Sequence, residues 1–144
     1  MRIVVMGLLV LAIVGCQNNE GCTNQNSVNY SSSAQQDDGS CTYEAYVVFG
    51  FLDQTADQLN TMGIYSVDFY LDGVFIGSKS TSQSWYITDD TDCLDPNEVA
   101  ETINLGSSPT STAYYEARDS NGNVLDSRTF SHEGATCRTI FVDL

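Results

Sequence analysis

The chain has 144 residues, with 19 acidic side chains against 5 basic ones and a formal net charge of −14 at pH 7. That balance excludes nucleic acid as a partner, because phosphate binding needs clustered Lys and Arg, and it disfavours direct adsorption to anionic lipid. Disorder, the other common meaning of high charge, is opposed by eight Tyr, six Phe and one Trp.

The chain starts MRIVVMGLLVLAIVGCQNNE. One basic residue, Arg2, precedes an apolar run from Ile3 to Val14. The run is short of the roughly 20 apolar residues that a bilayer span needs, and it suits the apolar part of a secretory signal, about 7 to 15 residues. Its end, Ile13-Val14-Gly15-Cys16, resembles the lipobox of bacterial lipoproteins. The resemblance implies a signal peptide over residues 1–15, cleavage before Cys16 and acylation of Cys16 by palmitate-like chains. Residues 16–20 would then be a lipidated tether, and the membrane a partner through that anchor. Gln17 does not suggest inner-membrane retention, so the expected location is the outer membrane, facing the periplasm or the surface. The alternative is an ordinary signal peptide with a chance cysteine.

With Cys16 acylated, Cys22, Cys41, Cys93 and Cys137 remain. An even number of cysteines in an exported chain reads as two disulfides, and four allow three pairings. The local pairing, Cys22 with Cys41 and Cys93 with Cys137, is preferred because it keeps one bridge in the N-terminal segment and one in the main domain. No CxxC pair is present, so zinc is a weak competitor.

Residues 21–43 lack apolar periodicity and are rich in Ser, Asn, Gln and Asp, which favour turns. Val28, Tyr30 and Ala34 are the only packing candidates. The stretch GCTNQNSVNYSSSAQQDDGSCTY resembles a short module of secreted and surface proteins in certain Gram-negative bacteria, through Gly21-Cys22-Thr23, Asn29-Tyr30, Ala34, Asp37-Asp38-Gly39-Ser40-Cys41 and Tyr43. The resemblance implies a Cys22–Cys41 bridge and a calcium-type loop. It departs at Asn24, where Asp is usual, and at Ser31-Ser32. A clasp in place of a core would make this segment a compact spacer between lipid and domain.

Residues 44–144 read as about eight short strands. Val47, Phe49 and Phe51 share a face, and Val67, Phe69 and Leu71 alternate with Ser66, Asp68 and Tyr70. Asp72-Gly73 is a two-residue hairpin turn returning through Val74 to Lys79. Ser84 to Thr88 is a short strand containing Trp85, followed by an acidic loop, an alternating stretch from Val99 to Leu105, a second hairpin around Asp119 to Gly122 and a last strand from Cys137. Asp53 to Gly63 is expected to be a long loop with one helical turn at most. The predicted fold is all-β, an antiparallel sandwich of immunoglobulin-like type, with a barrel as runner-up. The Cys93–Cys137 bridge would pin the acidic loop to the sheet.

Catalytic signals are weak. The single histidine, His132, is expected on the surface in a turn, HEGAT lacks the second histidine of a zinc-protease motif, and no GxSxG occurs. Calcium has two candidate loops, one from Asn24, Asn26, Asn29, Asp37 and Asp38, the other from Asp89, Asp90, Asp92 and Asp95. DSNGN from Asp119 starts like a calcium loop but continues as a hairpin turn. Tyr70, Tyr86 and Tyr114 fall on solvent-facing strand positions, where rings stack on sugars. The expected role is a non-catalytic structural or interaction lipoprotein binding protein or glycan. The alternatives are a glycan-binding accessory lipoprotein and a hydrolase with an unrecognised site.

Overall fold

The computed structural model describes residues 18–82, 93 and 98–144. The signal segment, Cys16, the Ser84–Thr88 strand with Trp85 and Tyr86, and Asp89, Asp90, Asp92 and Asp95 lie outside the described residues. The elements in chain order are β1 (Tyr43–Gly50), α1 (Asp53–Thr61), β2 (Ser66–Leu71), β3 (Val74–Ser80), β4 (Val99–Gly106), β5 (Thr110–Asp119), β6 (Val124–Glu133) and β7 (Cys137–Phe141).

They form two sheets, a three-stranded one ordered β4-β1-β7 and a four-stranded one ordered β3-β2-β5-β6. The larger sheet follows from the expected hairpins. Asp72 and Gly73 take φ of 48° and 81°, the left-handed pair that a two-residue turn between twisted strands requires. At the second hairpin the Asp119 carboxylate accepts from the backbone N–H of Asn121 (2.9 Å) and Asn123 (2.8 Å) and from the Asn123 amide (2.8 Å). DSNGN is therefore a self-bonded turn.

The alternation in β2 buries Val67, Phe69 and Leu71, and β1 and β5 add Val47, Phe49, Ala113, Tyr115 and Ala117 to the same core. Phe49 stacks across the inter-sheet space on Phe69 and Tyr115, with centroids 5.6 and 5.8 Å apart. Two sheets packed face to face around such a layer make a β-sandwich, consistent with an immunoglobulin-like arrangement.

Two features correct the purely antiparallel, helix-free expectation. The first is β7, which runs parallel to β1, pairing Tyr46 with Cys137 through Gly50 with Phe141. The short connection after β6 carries the chain across to the other sheet, so β7 cannot close a hairpin with its predecessor. The second is α1, nine residues where a loop was expected. Only Ala56 and Leu59 are buried, too few apolar positions to raise a 3.6-residue period. Its end is nevertheless written in the sequence: Gly63 (φ 78°) donates to the Asn60 carbonyl and Ile64 to the Leu59 carbonyl, a Schellman motif.

Both disulfides form in the preferred pairing, with Cα–Cα distances of 4.8 Å for Cys22–Cys41 and 5.8 Å for Cys93–Cys137. The module docks on the sandwich. Cys22 and Cys41 pack on Tyr43 and Ala45 of β1 and Leu105 of β4, while Val28 and Tyr30, the expected packing residues, are exposed. Gly134 admits this docking, since a Cβ there would lie 2.8 Å from the Tyr43 ring and 3.3 Å from the Asn26 carbonyl.

Replacing Phe49 removes the shared layer. Phe49→Ala should cost about 3–5 kcal/mol in urea unfolding, whereas exposed Tyr65→Ala should stay within about 0.5 kcal/mol. The Cys22→Ser/Cys41→Ser variant should lose about 3 kcal/mol on the loop-entropy scale.

Candidate functional site

Three regions gather functional side chains. The first is the outer face of the four-stranded sheet, where alternate residues of β2, β3 and β5 meet. Tyr70 is half-buried, packed edge-on to Phe75 at 5.5 Å and covered by the Arg118 guanidinium 4.5 Å from its ring centre. Arg118 pairs in turn with Glu116. Tyr114 is exposed, and its hydroxyl donates to Glu116 at 3.2 Å. Both described candidate tyrosines therefore face outward on one sheet, as the alternation implied, but one ring face of Tyr70 is taken by arginine. Phe75, which the pattern did not single out, is half exposed beside it. A bulge in the β2–β3 register at Phe69/Tyr70 brings Phe75 opposite Tyr70, a shift that strand periodicity does not encode.

The second region is the module. Asn24 donates to the Tyr43 hydroxyl at 3.0 Å and accepts from the Asn26 N–H at 2.9 Å. Asn29 bridges to the Ser40 carbonyl and the Thr42 N–H. Asp37 accepts from Gly39 N–H and the Thr23 hydroxyl, and Asp38 accepts from Ser40 N–H. These bonds hold both carboxyls below the usual range, for Asp37 first through the Gly39 N–H and for Asp38 first through the Ser40 side chain. A calcium ion would compete with these turns for oxygen, and among the described residues no three His, Cys, Asp or Glu side chains gather as metal ligands do.

The third region holds His132, which is buried on β6 and not in a surface turn. Its position is inward because it shares strand parity with Phe130, whose ring lies 4.3 Å away edge-on. Neither ring nitrogen has a hydrogen-bond partner among the described residues. Ser131 and Glu133, adjacent in sequence, are exposed on the opposite face of the strand, so strand alternation keeps them from the imidazole. Burial, then the Arg138 charge, push His132 below its ordinary value, and Asp72 opposes them weakly.

The two flanks between the sheets are closed by cations. On one, buried Lys79 of β3 meets Glu98, just before β4, at 2.5 Å. On the other, Arg128 of β6 lies over the Tyr115 ring at 5.4 Å and donates to the Phe141 carbonyl of β7. Arg138 of β7 lies over Phe130 at 5.7 Å and donates to the Ser131 carbonyl of β6 at 2.8 Å. Tyr115 donates to Asp126, and burial together with that carboxylate drives its pKa strongly upward. The sequence alone gave no signal for these arginines, because their partners are backbone carbonyls on a different sheet.

No protein-family model, curated protein or solved structure matches this chain.

His132 sets a pH dependence with a definite sign. Its folded pKa lies below 6.5, so on acidification the unfolded chain takes a proton that the folded chain refuses. Stability should be full above 6.5 and decline as pH falls from there towards the lower folded value. Asp37, Asp38 and Asp119 are depressed carboxylates, whose contribution is lost below 3.8, outside that window. His132→Leu, which removes two unpartnered nitrogens, should flatten the melting-temperature difference between about pH 7.5 and about pH 5 and add about 1 kcal/mol at the lower pH.

Proposed function

We propose that this chain is a non-catalytic lipoprotein of the cell envelope, with an interaction or structural role at the outer membrane and its anchor on Cys16. The carrying observation is the pair of closed disulfides. Such bridges persist in oxidising, exported compartments, and the segment ahead of them reads as an export signal ending in an acylation site. The first bridge lies six residues beyond Cys16 in the chain, in a module docked on the sandwich. A tether leading into that cap would hold the domain close to the lipid with its two flanks and outer face available for contact.

A glycan-binding role is the second reading. It is favoured by Tyr114 and Phe75, exposed on one sheet face beside the polar groups of Asp68, Glu116 and Arg118. Rings flanked by carboxylates and a guanidinium suit sugar stacking with hydrogen bonds at the rim.

Intact mass of the membrane-extracted protein, before and after reduction, tests the anchor and the bridges together. The expected species starts at Cys16, carries acyl chains there and gains two hydrogens per bridge on reduction. An uncut leader or a free Cys16 thiol overturns the anchoring. Cys16→Ser should move the protein from the membrane to the soluble fraction. On a glycan array, Tyr114→Ala with Phe75→Ala should abolish any binding that the second reading explains.

A further inference from the structure

The flank between β6 and β7 is a built cleft. Each strand is the last of its own sheet among the described residues. The two pass in opposite directions, Arg138 reaching Ser131 and Arg128 reaching Phe141, with no backbone ladder between them among the described residues. The space is about 720 Å³, walled by residues 128–131 on one side and 138–144 on the other, with Gln54 and Gln58 of α1 at one end. These runs are consecutive. A strand face presents every second residue, so consecutive lining means that strand edges border the cleft, with backbone N–H and C=O groups along them.

The charge is distinctive as well. In a chain of net charge −14, two of the five basic residues line this one cleft, against one acidic side chain, Asp143. Arg128 has Asp126 at 3.3 Å, whereas Arg138 is exposed and has no carboxylate in ion-pair range among the described residues. The Arg138 guanidinium is satisfied by a neutral carbonyl, and a carboxylate is the stronger acceptor; Arg128 divides its contacts between the Phe141 carbonyl and Asp126.

We infer that the cleft binds an extended peptide carrying carboxylate side chains, which adds as a strand to the β7 edge and draws Arg128 and Arg138 off the Phe141 and Ser131 carbonyls. The arginines close the edge when it is empty and recognise the ligand when it arrives. Strand addition supplies backbone hydrogen bonds irrespective of sequence, and the two cations supply selection for acidic residues. A glycan fits less well, because Phe130 is buried and already covered by Arg138, and Phe141, which also lines the cleft, is only partly exposed. The inference rests on the reading of the domain as an interaction module but not on its lipid anchor, so an unlipidated Cys16 would leave it standing.

The test pans a phage-displayed random peptide library on the mature chain with its disulfides intact. Enriched peptides should alternate Asp or Glu with β-branched or aromatic residues, and hydrogen exchange should show new amide protection within residues 128–131 and 138–142. Arg128→Gln/Arg138→Gln, which keeps a donor for each carbonyl, should weaken the best peptide about tenfold or more, and added salt should weaken it too. If the double variant does not melt like the parent chain, Arg138→Gln alone, at an exposed side chain, provides the comparison. Lack of enrichment, peptides without acids, protection elsewhere or unchanged affinity in the variants each overturns the inference. So does a polyuronate that protects these amides when no peptide does, since that assigns the cleft to acidic glycan.

Discussion

Phe49 is the point on which the two sheets agree. It belongs to the central strand of the smaller sheet and stacks on residues from both central strands of the larger one, Phe69 and Tyr115. Among the described residues no strand is shared between the sheets, so this aromatic layer and the aliphatic side chains around it hold the two sheets together. From Tyr115 the connection continues by polar steps, its hydroxyl to Asp126, Arg128 over its ring, and Arg128 to the Phe141 carbonyl. One path thus leads from the driest part of the core to the edge strand of the other sheet.

That path explains where the few cations lie. Among the described residues, a sandwich of three and four strands has two flanks at which sheet edges face one another without a ladder. Lys79 closes one with Glu98, and Arg128 and Arg138 close the other through carbonyls. The long side chains cover apolar surface with their stems while their charged ends find oxygen at the rim. Arg118 is the exception, lying on the outer face over Tyr70. Surface ion pairs contribute little on their own. These cations matter because they satisfy edge groups and exclude water from the margin of the core.

Most of the fold was legible where local chemistry decides it. Period-two alternation placed Val67, Phe69 and Leu71 inside and Tyr70 and Tyr114 outside, and Asp72-Gly73 marked its turn by a left-handed pair. Cysteine count and position led to the bridges. What was not legible depends on distant partners. His132 looked like a turn residue because HEGAT is polar, yet β6 continues through it and its parity with Phe130 turns it inward. The parallel placement of β7 depends on the chain changing sheets at Gly134-Ala135, and a five-residue strand does not announce which neighbour it will choose. In α1, two buried residues were too few to show a period, although Gly63 before Ile64 marked the helix end. The docking of the module was not legible because its packing surface is the disulfide itself, set against Tyr43, Ala45 and Leu105.

The character of β7 follows from these constraints. It is five residues long, its one hydrogen-bonded neighbour among the described residues is β1, and the pairing is parallel, slightly weaker per residue than antiparallel pairing. Other restraints compensate: the Cys93 bridge at its first residue, Arg138 near its start, Arg128 at its last carbonyl, and Val142 N–H on the Gly50 carbonyl beyond its end. The bridge is covalent, and the Val142 bond joins β7's own sheet. Across the flank run the two arginine contacts and the Asp143 N–H bond to the Asp126 carboxylate, and each arginine is held by an oxygen that a competing acceptor can replace. The least stable segments of a fold are those with few backbone partners, and binding sites are drawn from them. An edge strand fastened covalently at one end, paired along one side and held across the other by exchangeable contacts can accept a new neighbour without loss of the core, because Phe49 and its partners do not depend on those contacts.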